Sequence, residues 1–282
     1  MALSRTRSFA IVVLAYLAAM AVAGYVVMVV DGEPWFRLLL ADLAATAVVF
    51  GFSVACNNSS VYDAYWSVAP MVIVLGLGTT TARGYLVTAL VLAWGARLTW
   101  NWARGWRGLG HEDWRYVDIR AKTGRAYWPV SLVGVHAMPT LWVYLGALSL
   151  IPALASPAPL GLLDLVSLVV TVGAIALEAI ADEQLRRFRR DDASAGTILA
   201  RGVWRWSRHP NYLGEILFWW GLFAFALAAD PGGWWRLVGP LGITTLFVAI
   251  SIPLLDRRSV ARRPRYREHM ARMPALVPRP WR

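Results

Sequence analysis

Cysteine is almost absent from this chain: Cys56 stands alone among 282 residues. No intrachain disulfide can form, and Cys56 reads as a small apolar packing residue. Charge is also scarce. Only 16% of residues are charged, against about a quarter in ordinary soluble domains. Acids are fewer than bases, 17 against 28, and the net charge is +11, carried by arginine far more than lysine. Histidine is rare, with four in the chain, and no His, Cys, Asp and Glu set has metal-ligand spacing. The G-x-G-x-x-G fingerprint and the P-loop are missing as well. A dinucleotide would therefore have to bind without a Rossmann fold.

What fills the space is apolar sequence. Hydrophobic residues make up 58% of the chain and the mean hydropathy is +0.49. Runs of about 18 or more apolar residues can cross the hydrocarbon core as helices, and lipid leaves helices as the simple way to satisfy the backbone. Eight spans are predicted, at 9–30, 36–55, 61–79, 84–103, 129–151, 161–185, 211–229 and 235–255. The first follows Met1–Arg7 and is too long for the roughly 7–15-residue core of a signal peptide, so it is expected to be a transmembrane helix. A seven-helix count would place the N-terminus, with Arg5 and Arg7, on the far side from the basic loops.

Short arginine-rich segments separate these runs. Residues 104–128 carry Arg104, Arg107, Arg115, Arg120, Lys122 and Arg125; residues 186–208 and the tail from Arg257 are equally basic. Residues 152–160 and 230–234 have no Lys or Arg. By the positive-inside rule the basic segments and both termini lie on the cytosolic side. In a membrane protein such charge answers anionic headgroups or an anionic cofactor, and no nucleic-acid partner is expected. The expected fold is a single all-α polytopic bundle over residues 1–282.

Four segments place polar groups where the chain is apolar. In Gly202-Val-Trp-Arg-Trp-Ser-Arg-His-Pro-Asn-Tyr-Leu-Gly-Glu215, Pro210 suits the first turn of a helix, whose free N–H groups attract anions. Arg201, Arg205 and Arg208 precede it, and Asn211 and Glu215 lie one turn apart inside the span. A snorkelling arginine belt is the plainer reading, but it leaves Glu215 unexplained, and intramembrane ionisable groups point to function. In Glu178-Ala-Ile-Ala-Asp-Glu-Gln-Leu-Arg-Arg-Phe-Arg189, the residues Glu178, Asp182, Arg186 and Arg189 fall near one helical stripe. A carboxylate suits ribose hydroxyls and arginines suit phosphates; a self-paired charge ladder is the alternative. Arg97, Asn101 and Arg104 share a third face, with Arg97 deep enough to need a partner. The fourth segment, Asn57-Asn-Ser-Ser-Val-Tyr-Asp-Ala-Tyr-Trp66, brings Tyr62, Asp63 and Tyr65 to the edge of the slab, as a neutral hydrogen-bond donor or simply as a helix cap. His136 reads as packed or hydrogen-bonded rather than catalytic.

These segments resemble the steroid 5α-reductase superfamily, in particular its bacterial membrane reductases. The resemblance covers about residues 57–280. It is strongest at Ala181–Arg189 and Ser207–Glu215, with the tail Tyr266-Arg-Glu-His-Met-Ala-Arg-Met-Pro-Ala-Leu-Val-Pro278 also similar. It implies NADPH, held between the helices and the cytosolic loops. The family's cofactor residues fall on Asn211, Glu215, Asp182, Arg189 and Arg97, with Glu178 where the family often has Asn. Asn101, Arg104, Arg186, Arg205, Ser207, Arg208, His209, Tyr212 and Tyr266 complete the expected cofactor set. The family's substrate-binding Gln-Glu pair is missing and its Tyr position is Trp94, so Asp63, with Tyr62 or Tyr65, is the expected catalytic substitute.

The implied reaction is reduction of an enone in an apolar substrate such as a 3-oxo-Δ4-steroid, entering from the bilayer. A bacterial inner membrane, a cytosol-facing site and a monomer are expected. The Arg-His-Pro-x-Tyr-x-Gly run also resembles membrane methyltransferases of isoprenylcysteine or phospholipid, which bind S-adenosylmethionine. A non-enzymatic lipid-binding or scaffolding protein is the third reading.

Overall fold

The computed structural model describes residues 4–191, 197–263 and 265–278, and it is helical with no strand among them. The helices run in the order α1 (Arg5–Val29), α2 (Pro34–Ala55), α3 (Tyr65–Leu77), α4 (Ala82–Gly105), α5 (Trp114–Thr123), α6 (Tyr127–Ser131), α7 (Met138–Ala147), α8 (Leu150–Ala155), α9 (Leu162–Asp191), α10 (Pro210–Ala229), α11 (Val238–Thr245), α12 (Ile252–Arg262) and α13 (Tyr266–Arg272). A 3-10 turn, Ser59–Tyr62, leads into α3. Each of the eight expected spans coincides with helix. The short helices α5 and α13 lie in the basic loop and tail, where no helix was foreseen.

Among the described residues, seven helical segments are long and apolar enough to cross a membrane. The protein is an integral membrane protein by that measure. The helix left out of the seven is α4, although its 24 residues reach about 36 Å at roughly 1.5 Å per residue. Arg83, Arg97, Asn101 and Arg104 lower its hydropathy. It packs against α3, α8, α9 and α10, so its polar face meets protein rather than lipid.

Two of the spanning segments are interrupted, and proline is the cause. A π-turn at Leu132–Ala137 precedes Pro139, and another at Leu246–Ser251 precedes Pro253. Proline lacks the N–H that would bond four residues back, and its ring collides with that carbonyl. A widened turn relieves both problems.

Two cores hold the bundle. The larger gathers Val87, Leu90, Val91 and Trp94 of α4 with Phe218, Trp219, Leu222 and Phe225 of α10. Trp94 stacks on Phe218 at 4.4 Å with the rings 10° apart. The smaller joins α1, α2 and the start of α3 through Val12, Tyr16, Val49, Val61 and Tyr65. Tyr16 donates a hydrogen bond to the Val61 carbonyl at 2.8 Å, which ties α1 into the bundle.

The basic segments meet at one end. Arg5 donates to the Ala103 carbonyl, Arg104 pairs with Glu183, and Arg258 lies 3.8 Å from the ring centre of Trp114. Arginines at the opposite end are each held. Arg37 donates to the Val27 carbonyl and Arg236 pairs with Asp230 at 2.7 Å. Arg83 pairs with Asp164 at 2.6 Å, the two side chains being 1% and 4% exposed, and also donates to the carbonyls of Ala158 and Pro159. Both arginine itself and unpaired charge are therefore concentrated at the basic end, the far end holding only Arg37, Arg83 and Arg236 among the described residues.

Removing one member of a buried pair strands the other's charge and costs about 3–5 kcal/mol. Arg83→Met or Asp164→Leu alone should lower stability by that order in mixed micelles, and the double variant should recover most of it. Equal losses in the double and single variants would show that the site needs the ions themselves.

Candidate functional site

The deepest polar cluster lies between α4, α9 and α10. Arg97 reaches from α4 to two carboxylates one turn apart on α9, Glu178 at 2.7 Å and Asp182 at 3.0 Å. Asn101, one turn further along α4, donates to Asp182 at 3.0 Å. Asn211, in the first turn of α10, donates to the other Asp182 oxygen at 3.3 Å. Asp182 is thus shared by all three helices. Glu215, one turn beyond Asn211 and buried, accepts from the indole N–H of Trp219 at 2.8 Å and of Trp94 at 3.0 Å.

Close approach of α9 and α10 makes this possible. A Cβ on Gly214 would stand 2.8 Å from the Ala174 carbonyl and 2.9 Å from the Glu178 Cβ. Any side chain there would push the helices apart. Glycine thus brings Asn211 and Glu215 onto the acidic face of α9.

The cluster is not closed on itself. Arg97 Nε is buried without a hydrogen-bond partner among the described residues, and the Glu178 carboxyl lies against that of Glu215. Buried polar atoms normally find a partner, so the Arg97 nitrogen marks a place where a polar ligand group or water would be accepted. Nearer the basic end, Arg104 bonds Asn101 and Glu183, and Arg186 also turns back to Glu183 at 2.5 Å. Arg189 differs: it is exposed and has no ion pair or hydrogen bond among the described residues. Asp182, Arg263 and Tyr212 surround it.

A second assembly holds the tail. Asp256 of α12 accepts from Arg208 at 2.8 Å, His209 at 3.0 Å and Tyr266 at 3.2 Å. The backbone N–H groups of Arg208 and His209 bond the carbonyls of Pro274 and Ala275, and Ser207 donates to Ala275. The Arg208 guanidinium adds bonds to the carbonyls of Met270 and Met273. The tail is strapped in this way across the segment leading into α10. Burial, with the Asp256 carboxylate beside it, pushes the Tyr266 hydroxyl up to about 12, so it remains a neutral donor. Burial lowers His269 below the ordinary imidazole value.

The 59–65 segment divides its polar groups. Asp63 accepts from the Tyr116 hydroxyl of α5 at 2.7 Å and has Arg115 nearby. Tyr62 and Tyr65 turn away from it. Tyr62 meets the Thr140 hydroxyl at 2.8 Å, and Tyr65 donates to Asp42 of α2 at 2.7 Å. A seam continues through His136, which meets Ser53 at 3.0 Å and the Ser131 carbonyl at 3.0 Å. His136 is hydrogen-bonded inside the bundle, in keeping with its sequence reading.

The expected residues therefore fall into three groups. Arg97, Asn101, Arg104, Glu178, Asp182, Asn211 and Glu215 form one cluster, bordered by Arg186, Arg189 and Tyr212. Tyr212 feels charges of both regions, Asp182 and Arg189 of the cluster and Arg115 and Asp113 near Asp63. Ser207, Arg208, His209 and Tyr266 belong to the tail strap, where their polar atoms are engaged except for Arg208 Nε, which is buried without a hydrogen-bond partner among the described residues. Arg205 is exposed over the Trp206 ring at 4.7 Å. Tyr62 and Tyr65 do not join Asp63; Tyr116 is its phenol.

Sequence reasoning passed over Asp42, Asp256, Tyr116, Glu183 and the indoles of Trp94 and Trp219. Asp42 had a signal, a carboxylate inside an apolar run. Glu183 and Trp219 also had local ones, Arg186 and Arg187 within about one turn of Glu183 and Glu215 four residues before Trp219, whereas Asp256, Tyr116 and Trp94 meet partners far away along the chain.

Three helices converging on a buried arginine–carboxylate cluster, beneath an arginine-rich end, define a polytopic membrane protein with an intramembrane polar site. The chain belongs to the family described as "Protein of unknown function (DUF1295)", whose model matches residues 49–273, a family that includes steroid 5α-reductase-like membrane proteins. It is also similar to the "Uncharacterized protein C594.04c" of Schizosaccharomyces pombe, with 30% identity over 285 residues, covering 88% of this chain and 80% of that protein. No solved structure matches. The matched residues include the whole α4–α9–α10 cluster and the Asp256, Arg208, His209 and Tyr266 side of the tail strap, but stop short of Pro274 and Ala275; α1 and most of α2 precede them.

Gly214→Ala should force α9 and α10 apart at a cost of about 1–3 kcal/mol. A fall in the thermal midpoint with a change in the near-ultraviolet signal of Trp94 and Trp219 is expected. An unchanged midpoint and signal would show that the helices yield without loss.

Proposed function

We propose that this protein is a membrane-embedded NADPH-dependent reductase of an α,β-unsaturated ketone in an apolar substrate, with a 3-oxo-Δ4-steroid as the leading class. The observation that carries the reading is the cluster of Arg97, Asn101, Glu178, Asp182, Asn211 and Glu215, with the buried, unpartnered Nε of Arg97, directly beneath the unpaired Arg189. That donor set fits a group with amide and hydroxyl functions at one end and phosphates at the other. NADPH bound there would supply the hydride.

The chain's own groups would do the rest. Asn211 and Glu215, steadied by the two indoles, would hold the inner polar end of the cofactor. Arg189 is free to meet a phosphate, and its planar fork suits one. Arg104 and Arg186 share Glu183 and would have to leave it to do so. Hydride arrival at the β-carbon of an enone leaves negative charge on the substrate oxygen. A donor aimed at that oxygen lowers the barrier, commonly by about 3–4 kcal/mol. Asp63 with Tyr116 is the acid–phenol pair suited to this role, and solvent or the same acid would protonate the α-carbon.

One observation favours a second reading, an S-adenosylmethionine-dependent membrane methyltransferase of the isoprenylcysteine or phospholipid type. Glu178, Asp182 and Glu215 outnumber Arg97 and Arg104 in the cluster, and a surplus of buried acid suits a sulfonium cation.

Thermal-shift titration of the detergent-purified protein decides between them. Stabilisation by NADPH without response to S-adenosylmethionine is expected, and the reverse would overturn the reductase reading. Arg189→Glu should weaken NADPH at least tenfold while leaving the unliganded midpoint within a few degrees; unchanged affinity would remove Arg189 from the site. Asp63→Asn should keep NADPH bound and slow enone reduction by about a hundredfold or more, in line with loss of an oxyanion donor. Full turnover would make Asp63 a structural group of the α3 entrance.

A further inference from the structure

A cleft of about 640 Å3 opens between α12 and α13, and the reductase reading makes no use of it. Ile252, Val260 and Met270 contribute apolar walls, and Arg257 and Arg267 contribute charge. Asp256 also borders it, but its carboxylate already accepts from Arg208, His209 and Tyr266. It therefore offers little free negative charge to the two arginines. Both arginines are exposed, and neither has a hydrogen bond or ion pair among the described residues. Their neighbour Arg258, by contrast, is laid over Trp114.

The position of the cleft matters as much as its lining. The last apolar segment, Pro231–Arg262, carries exposed Val248, Ile250 and Leu254 and then turns basic at Arg257, Arg258 and Arg262. The cleft thus spans the boundary where lipid-facing surface gives way to arginine. Its volume lies within the roughly 300–1,000 Å3 of small-molecule sites.

We propose that this cleft binds an anionic phospholipid, its headgroup phosphate between Arg257 and Arg267 and the first part of an acyl chain along Ile252, Val260 and Met270. Free inorganic phosphate would use the arginines and leave the apolar wall in water. A zwitterionic lipid would use the wall but bring no net charge for two unpaired guanidiniums. Met270 connects the cleft to the tail strap, because its carbonyl accepts from Arg208 at 3.2 Å. An occupied cleft therefore braces α13 over the segment that enters α10.

The test uses the full-length protein in nonionic detergent, titrated with phosphatidylglycerol, with phosphatidylcholine of the same acyl chains, and with inorganic phosphate. Bound lipid is counted by native mass spectrometry and stability read from the thermal midpoint. Phosphatidylglycerol should be retained and should raise the midpoint most. Arg257→Gln with Arg267→Gln should weaken it about ten- to thirtyfold, the scale set by two arginines at an anionic surface. The charge-matched Arg187→Gln with Arg190→Gln, at the end of α9, should leave it unchanged. Ala261→Trp, which crowds the apolar wall and keeps both arginines, should weaken phosphatidylglycerol as well. Equal retention of the two lipids, equal losses in the two double variants, or equal stabilisation by inorganic phosphate would each overturn the proposal. Wild-type binding of phosphatidylglycerol by an Ala261→Trp protein would remove the acyl-chain part and with it the lipid assignment.

Discussion

Arg97 is the group on which the arrangement of this bundle depends. A guanidinium well inside a helical bundle cannot remain without counter-charge, and the chain answers it twice, with Glu178 and Asp182 one turn apart on α9. That double contact draws α4 against α9 along their polar faces. It also explains how α4 can hold so many polar residues and still run through the middle of the bundle, since neighbouring helices take the place of lipid around it. The third helix is then brought in by shape rather than charge. Gly214 allows α10 to close on Ala174 and Glu178, and only at that separation does Asn211 reach Asp182.

Around this centre the indoles act as polar groups with apolar bodies. Trp94 belongs to the largest core and stacks on Phe218, yet its N–H goes to Glu215, as does that of Trp219. The buried acid is therefore held by residues that also fill the core. A change that loosens the packing of Trp94 would loosen Glu215 with it. Stability and the candidate chemistry are coupled at this point of the molecule.

The two ends of the bundle handle arginine in opposite ways. At the far end, Arg83 and Arg236 are closed off by acids and Arg37 by a carbonyl. At the basic end several remain unengaged, Arg189, Arg257 and Arg267 among them. Others there are used structurally, above all Arg208, whose bonds to Asp256 and the tail carbonyls strap the chain's last segment over the entrance to α10. The excess of arginines at that end, together with those left unheld, marks the face where an anion would be received.

Much of this was legible in the residues alone. Each expected span is a helix, because a run of about 20 apolar residues in lipid has few other ways to satisfy its backbone. The grouping of Arg97 with Asn101, and of Glu178 with Asp182, was also readable, because helical periodicity places residues three and four apart on one face. What lay beyond the sequence were the pairings across helices: Asp182 with Asn211, Glu215 with Trp94, Asp63 with Tyr116 rather than Tyr62 or Tyr65, and Asp256 with Arg208. Local spacing states which face a side chain occupies but not which other helix that face will meet. That choice is made when glycines, prolines and large aromatics set how closely and at what angle the helices pack, and those terms exist only once the whole bundle is assembled.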